Sequence, residues 1–81
     1  NQFIIHTDNK VTFQSYNSTI ISIDFDSKII EIYPDWDYSR TTGKYRNMFL
    51  SDYFYSLASK STLEKAMQAG KAEGFTIVKK W

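Results

Sequence analysis

Apolar residues alternate with polar ones through the first part of the chain and recur at helical spacing in the second, so the period of the pattern changes from about two to about 3.6. Ile21, Ile23 and Phe25 alternate with Ser22 and Asp24, and Ile30 and Ile32 flank Glu31. This predicts two strands with one buried face, joined by a two-residue turn at Asp26 and Ser27 with Lys28 making the tip charged. Pro34 ends the second strand because it has no N–H for a ladder. Phe3, Ile4 and Ile5, then Val11, Thr12 and Phe13, lie on either side of the turn-forming pair Asp8 and Asn9, which predicts an earlier hairpin.

Leu50, Tyr53, Phe54 and Leu57 fall at i, i+3, i+4 and i+7, with Phe49 at their border, and predict a helix over 41–57. Lys44, Met48, Ser51 and Tyr55 then form its opposite face, which suits association. Ser61 and Glu64 fit a capping box that starts a second helix, with Leu63, Ala66, Met67 and Gly70 as its stripe and Gly74 as its stop. Phe75 to Trp81 reads as a strand returning to the sheet. The order is ββ-ββ-α-α-β, which predicts an α+β class: N-terminal antiparallel β-hairpins, two helices in a helix-turn-helix-like pair, and a C-terminal strand in the sheet, all in one domain over 1–81.

At 81 residues a single core is small, so a homodimer is expected to add to its stability. The 42% hydrophobic and 17% aromatic content is that of a folded chain. Cysteine is absent, which removes disulfides and thiolate metal sites, and no apolar run reaches the ~20 residues of a membrane span. The chain does not begin with Met and shows no signal-peptide order; a cytoplasmic location is expected, with no membrane partner. Net charge is only +1, yet it is unevenly spread. Eight cations against three anions from Arg40 onward make that part +5, while two cations against six anions before it make −4. This asymmetry points to an anionic partner for the C-terminal half.

Catalytic chemistry finds no foothold. The lone His6 has no serine elbow, and neither His6 with Asp8 nor Asp35 with Asp37 offers enough ligands for a metal. Glycines 43, 70 and 74 are too scattered to cradle phosphates. The expectation is a protein that is not an enzyme, with no cofactor and no metal. The run from Tyr33 to Arg46 is richer: Arg40, Lys44 and Arg46 stand beside Ser39, Thr41 and Thr42 at a helix start, where unpaired N–H groups attract anions. Asp35 and Asp37 just before it are placed to neutralise Arg40 internally.

The stretch from Ser59 to Lys80 is similar to part of a winged helix-turn-helix domain, its turn formed by Ala58, Ser59, Lys60 and Ser61. That similarity assigns Lys60, Ser61 and Thr62 to phosphates, Lys65 and Gln68 to base edges, and Lys79 and Lys80 to wing contacts with double-stranded DNA, with Lys28 as a further wing cation. It departs from the usual order, because the clearest hairpin precedes the helix pair. Tyr16 to Ile20, Trp36 to Tyr45 and Phe49 with Leu50, including the run W-D-Y-S-R-T-T-x-K, together resemble a widespread group of small proteins encoded on phages and plasmids of low-GC Gram-positive bacteria. The resemblance implies an accessory role for a mobile genetic element in a bacterial cytoplasm. Two expectations follow. One is a DNA-binding accessory protein using Arg40, Lys44, Lys60, Ser61, Thr62, Lys65, Gln68, Lys79 and Lys80; the other is a protein-interaction module directed at a host or element-encoded protein, such as an inhibitor of a host factor.

Overall fold

The alternating segments form β1 (Gln2–Thr7), β2 (Lys10–Ser15), β3 (Ser18–Asp24) and β4 (Ile29–Ile32) in a computed structural model that describes residues 1–81. They are followed by α1 (Arg40–Ser51), a 3-10 turn at Tyr55–Leu57, α2 (Lys60–Ala69), β5 (Lys71–Ala72) and β6 (Phe75–Lys79). The six strands make one sheet in the order β1-β2-β3-β4-β6-β5. The class is α+β, as expected: antiparallel hairpins come first, and the C-terminal strand joins the sheet. β4 and β6 run parallel, which only a long crossover permits, and both helices lie within that crossover.

Opposed residues in paired strands share a face, so the registers show which side is covered. Val11 and Phe13 stand opposite Ile23 and Ile21, these opposite Ile30 and Ile32, and Ile30 opposite Ile77. All are buried beneath Phe49, Leu50, Leu57, Leu63 and Ala66 from the helical layer. Phe13 stacks on Phe49 with ring centroids 5.8 Å apart, fixing α1 over β2. Ile20 is the extra residue where the β2–β3 register shifts beside Phe13 and Gln14, and it too is buried.

Several turns and ends differ from expectation. The connection between β3 and β4 is Phe25–Lys28, longer than the pair Asp26 and Ser27, because the Asp24 carboxylate accepts the N–H groups of Asp26 and Ser27 and draws the chain round a wider bend. Those N–H groups, Ser27's foremost, hold the Asp24 carboxyl below its ordinary pKa. Phe25 leaves the strand pattern and packs against Tyr53 and Phe75. Helix α1 ends at Ser51 instead of running to residue 57: the N–H groups of Asp52 and Tyr53 reach back only three residues, and Phe54, at φ −141° and ψ 84°, leaves the helical conformation. A continuous helix would carry Leu57 about 10 Å along the axis beyond Leu50. The break returns it to the same core and sets the Phe54 ring 4.9 Å from Phe75. Met48 and Tyr55 therefore share no helical face.

Helix α2 is capped by Ser59 and not by Ser61, so no capping box forms with Glu64. Gly70, at φ 75°, is the left-handed stop expected at Gly74. Gly74 and Glu73, both at positive φ, instead form the tight turn between β5 and β6, a hairpin too short to show in the apolar pattern. Trp81 lies beyond β6 and is exposed.

Phe49→Ala is expected to destabilise the fold by roughly 3–5 kcal/mol in urea unfolding, since it empties the contact between α1 and β2. Tyr55→Ala, at a residue 84% exposed, should change stability by less than about 0.5 kcal/mol.

Candidate nucleic-acid interface

The two helices begin with the same local design. Ser39 accepts the Thr42 N–H at 3.2 Å, and Ser59 accepts the Thr62 N–H at 3.2 Å, so each serine satisfies one of the orphan donors of a first turn. A cation follows each cap, Arg40 in α1 and Lys60 in α2, and neither first turn contains an acidic residue. The helix dipole disfavours that choice, because the N-terminal end is already positive. Helix stability alone would select Asp or Glu at these positions.

A negative charge is supplied from outside the helices. Asp37 lies 2.8 Å from the Lys60 ammonium through Oδ2 and 3.1 Å from Arg46 Nη1 through Oδ1. Arg46, expected as a surface cation, is 1% exposed and heads the fully buried side chains by volume. Its guanidinium donates to the Trp36 carbonyl at 2.8 Å and to Asn47 Oδ1 at 2.9 Å, and lies over the Trp36 ring. Arg46 thus binds the turn preceding α1 to the body of that helix. Burial works to raise the pKa of Asp37, but the hydrogen bonds and charges of Lys60 and Arg46 outweigh it and hold the carboxyl below its ordinary value. The same contact raises the pKa of Lys60. Asp35, expected beside Arg40, instead accepts the Ser18 hydroxyl at 2.7 Å.

Around this junction opens a cleft of about 460 Å³ with no hydrophobic residue in its lining, which includes Asp37, Ser39, Arg40, Lys44, Arg46 and Lys60. Arg40 and Lys44 are exposed and form no ion pair. Three of the expected site residues, Arg40, Lys44 and Lys60, therefore converge on one opening from two helix starts. Ser61, Lys65 and Gln68 are exposed on α2, and the Thr62 hydroxyl is engaged with Ser59. Lys79, Gln68 and Glu64 line a shallow depression together with Trp36 and Trp81.

Lys80 is elsewhere. Alternation along β6 turns it to the sheet face away from the helices, where its ammonium lies 3.4 Å from Glu31. Lys10 joins the same carboxylate at 3.5 Å, and the hydroxyls of Ser22 and Tyr33 donate to it at 3.1 Å each. Burial opposes ionisation of Glu31, yet these partners keep its pKa below the ordinary value. Lys28 lies over the Phe75 ring, 5.2 Å from its centroid, which ties that cation to the core's rim.

A family model described as "Family of unknown function (DUF8033)" matches residues 1–67. The chain belongs to this family. The match spans β1 to β4, α1 and most of α2, so the cleft residues Asp37, Arg40, Lys44, Arg46 and Lys60 all lie within it. No curated protein and no solved structure matches the chain.

Sequence reasoning missed the buried role of Arg46, although a signal was present: Thr42, Arg46, Phe49 and Leu50 recur at helical spacing, and all are buried. It also gave no role to the hollow of about 620 Å³ between Tyr16, Tyr38, Asp35 and several hydroxyls, which shares Ser39 with the cationic cleft.

Replacing Arg46 with Ala should cost about 3 kcal/mol, because it strands the Trp36 carbonyl and leaves Asp37 with Lys60 as its one ion-pair partner. A carboxyl with a lowered folded-state pKa stabilises fully above its unfolded value and loses that contribution as pH falls through its folded value. The stability advantage of the wild type over Asp37→Asn is therefore expected to be complete above about pH 5 and to shrink progressively below it, as measured by urea unfolding across pH.

Proposed function

We propose that this protein is a DNA-binding accessory factor of a plasmid or phage, acting in the bacterial cytoplasm, that seats the phosphate backbone in the cleft between the starts of α1 and α2. The observation that carries this reading is the convergence there of Arg40 and Lys44, neither in an ion pair, beside Lys60, which is paired with Asp37, with no acidic residue in either first turn. Cations at helix N-termini oppose the dipole, and a bound phosphate would relieve both them and the unpaired N–H groups. Ser61, Lys65 and Gln68 on the exposed side of α2, with Lys79 beside Gln68, extend the contact surface. Gln68 supplies a side chain able to pair with adenine. Lys80, engaged with Glu31 across the sheet, is left out of the interface.

A second reading, a protein-interaction module for a host or element-encoded protein, is favoured by the exposure of Tyr38, Tyr55 and Trp81. Fluorescence anisotropy with duplex DNA from the element's own intergenic regions separates the two. Two neutralised phosphates, at the unpaired Arg40 and Lys44, give a slope of roughly −2 in log affinity against log salt, so binding should weaken about 12-fold between 50 and 200 mM salt. The double variant R40E/K44E, altered only at exposed residues, should bind at least about tenfold more weakly with a melting temperature no lower than that of the wild type. Absence of binding at low salt, or equal binding by R40E/K44E, would sink the DNA reading.

A further inference from the structure

We infer that two copies of this chain associate through β1, which pairs antiparallel with itself about a two-fold axis at Ile4 and makes one continuous sheet across the dimer. The two edges of the sheet are unlike. β5 is two residues long and contributes Lys71, the kind of short, charged edge that resists pairing. β1 spans six residues with no Lys, Arg, Asp, Glu or Pro, and the sheet's register shift lies between β2 and β3 instead of at this edge.

The backbone polarity of β1 sets the register. Thr7 and Lys10 close the turn at Asp8 and Asn9, and at the other end the Asn1 carbonyl accepts the Tyr16 N–H. Alternate pairs of an antiparallel ladder exchange hydrogen bonds, so the odd-numbered residues of β1 bond inward to β2. Gln2, Ile4 and His6 present their N–H and C=O groups outward. An axis through Ile4 sets Ile4 opposite the partner's Ile4 and Gln2 opposite the partner's His6, which engages all three outward residues of each strand. It also sets Phe3 opposite the partner's Ile5. Moving the register two residues toward the turn would leave Phe3 facing Thr7 and place Gln2 against Asp8. The Ile4 register joins apolar to apolar and brings no like charges together.

Side chains and area fit the same occupant. Phe3, Ile4, Ile5, Tyr45 and Met48 are each 36–53% exposed. Phe3 and Ile5 lie on the sheet face away from the helices, while Ile4, Tyr45 and Met48 line a groove of about 410 Å³ between β1 and α1. Taking about 200 Å² for a fully exposed large side chain, these five offer roughly 450 Å² per copy. A pair would then cover at most about 900 Å² before backbone and polar rim are added, close to the lower threshold of roughly 1,000 Å² for a specific interface. The surface shares no lining residue with the cationic cleft, so it stands apart from the DNA reading.

Sedimentation equilibrium on the full chain up to about 200 µM tests this, with circular dichroism confirming the fold of each variant. The wild type should be a dimer. Ile4→Lys, which opposes two ammonium groups at the axis, should raise the dissociation constant at least about a hundredfold. Phe3→Lys and Ile5→Glu should each weaken the dimer, and the double variant F3K/I5E should regain it through two Lys–Glu pairs across the axis. A monomeric wild type, a dimer unaffected by Ile4→Lys, or a double variant no better than the singles would overturn the proposal.

Discussion

The buried Arg46 guanidinium is the contact on which the functional end of the molecule depends. It joins three pieces that the core alone would not hold in register: the turn at Trp36 and Asp37, the body of α1 and, through Asp37, the start of α2 at Lys60. Charge burial is costly unless every donor is answered, and here a carbonyl, a carboxylate, an amide oxygen and an indole face answer them. Such a network defines one arrangement of its members more sharply than apolar packing does. The positions of Arg40 and Lys44 at the cleft mouth follow from it.

The sheet supplies the other constraint. Residues of four strands align opposite one another to cover one face, and the helical layer sits on it through Phe13 and Phe49. The far face is polar toward its middle, where Glu31 collects two lysines and two hydroxyls, and it exposes Phe3 and Ile5 at β1. That distribution separates two surfaces of different chemistry. Charge gathers where the helices begin, and unpaired backbone with exposed apolar side chains gathers at the first strand.

Much of the architecture was legible in the chain. Ile21, Ile23, Ile30 and Ile32 announced their strands and their buried face because alternation is a local property of the pleat. The end of α1 was not, since Leu50, Tyr53, Phe54 and Leu57 fit a helical stripe equally well if the chain breaks and folds back; only the position of Phe75 shows which occurs. The cleft was half legible. Serines and cations at two helix starts were visible, whereas their convergence depends on a crossover that places α2 beside the turn preceding α1.

The sequence by itself determined the class of fold, five of the six strands, the existence of both helices and the basic character of the second half, because each rests on short-range periodicity or on composition. Tertiary structure alone decided which charges remain free. Arg46 and Lys60 share Asp37, Lys80 is held by Glu31 across the sheet, and Arg40 and Lys44 stay open to solvent. The reason is physical: a charge is neutralised by whichever opposite charge the fold brings within a few ångströms, and separation along the chain does not measure that distance.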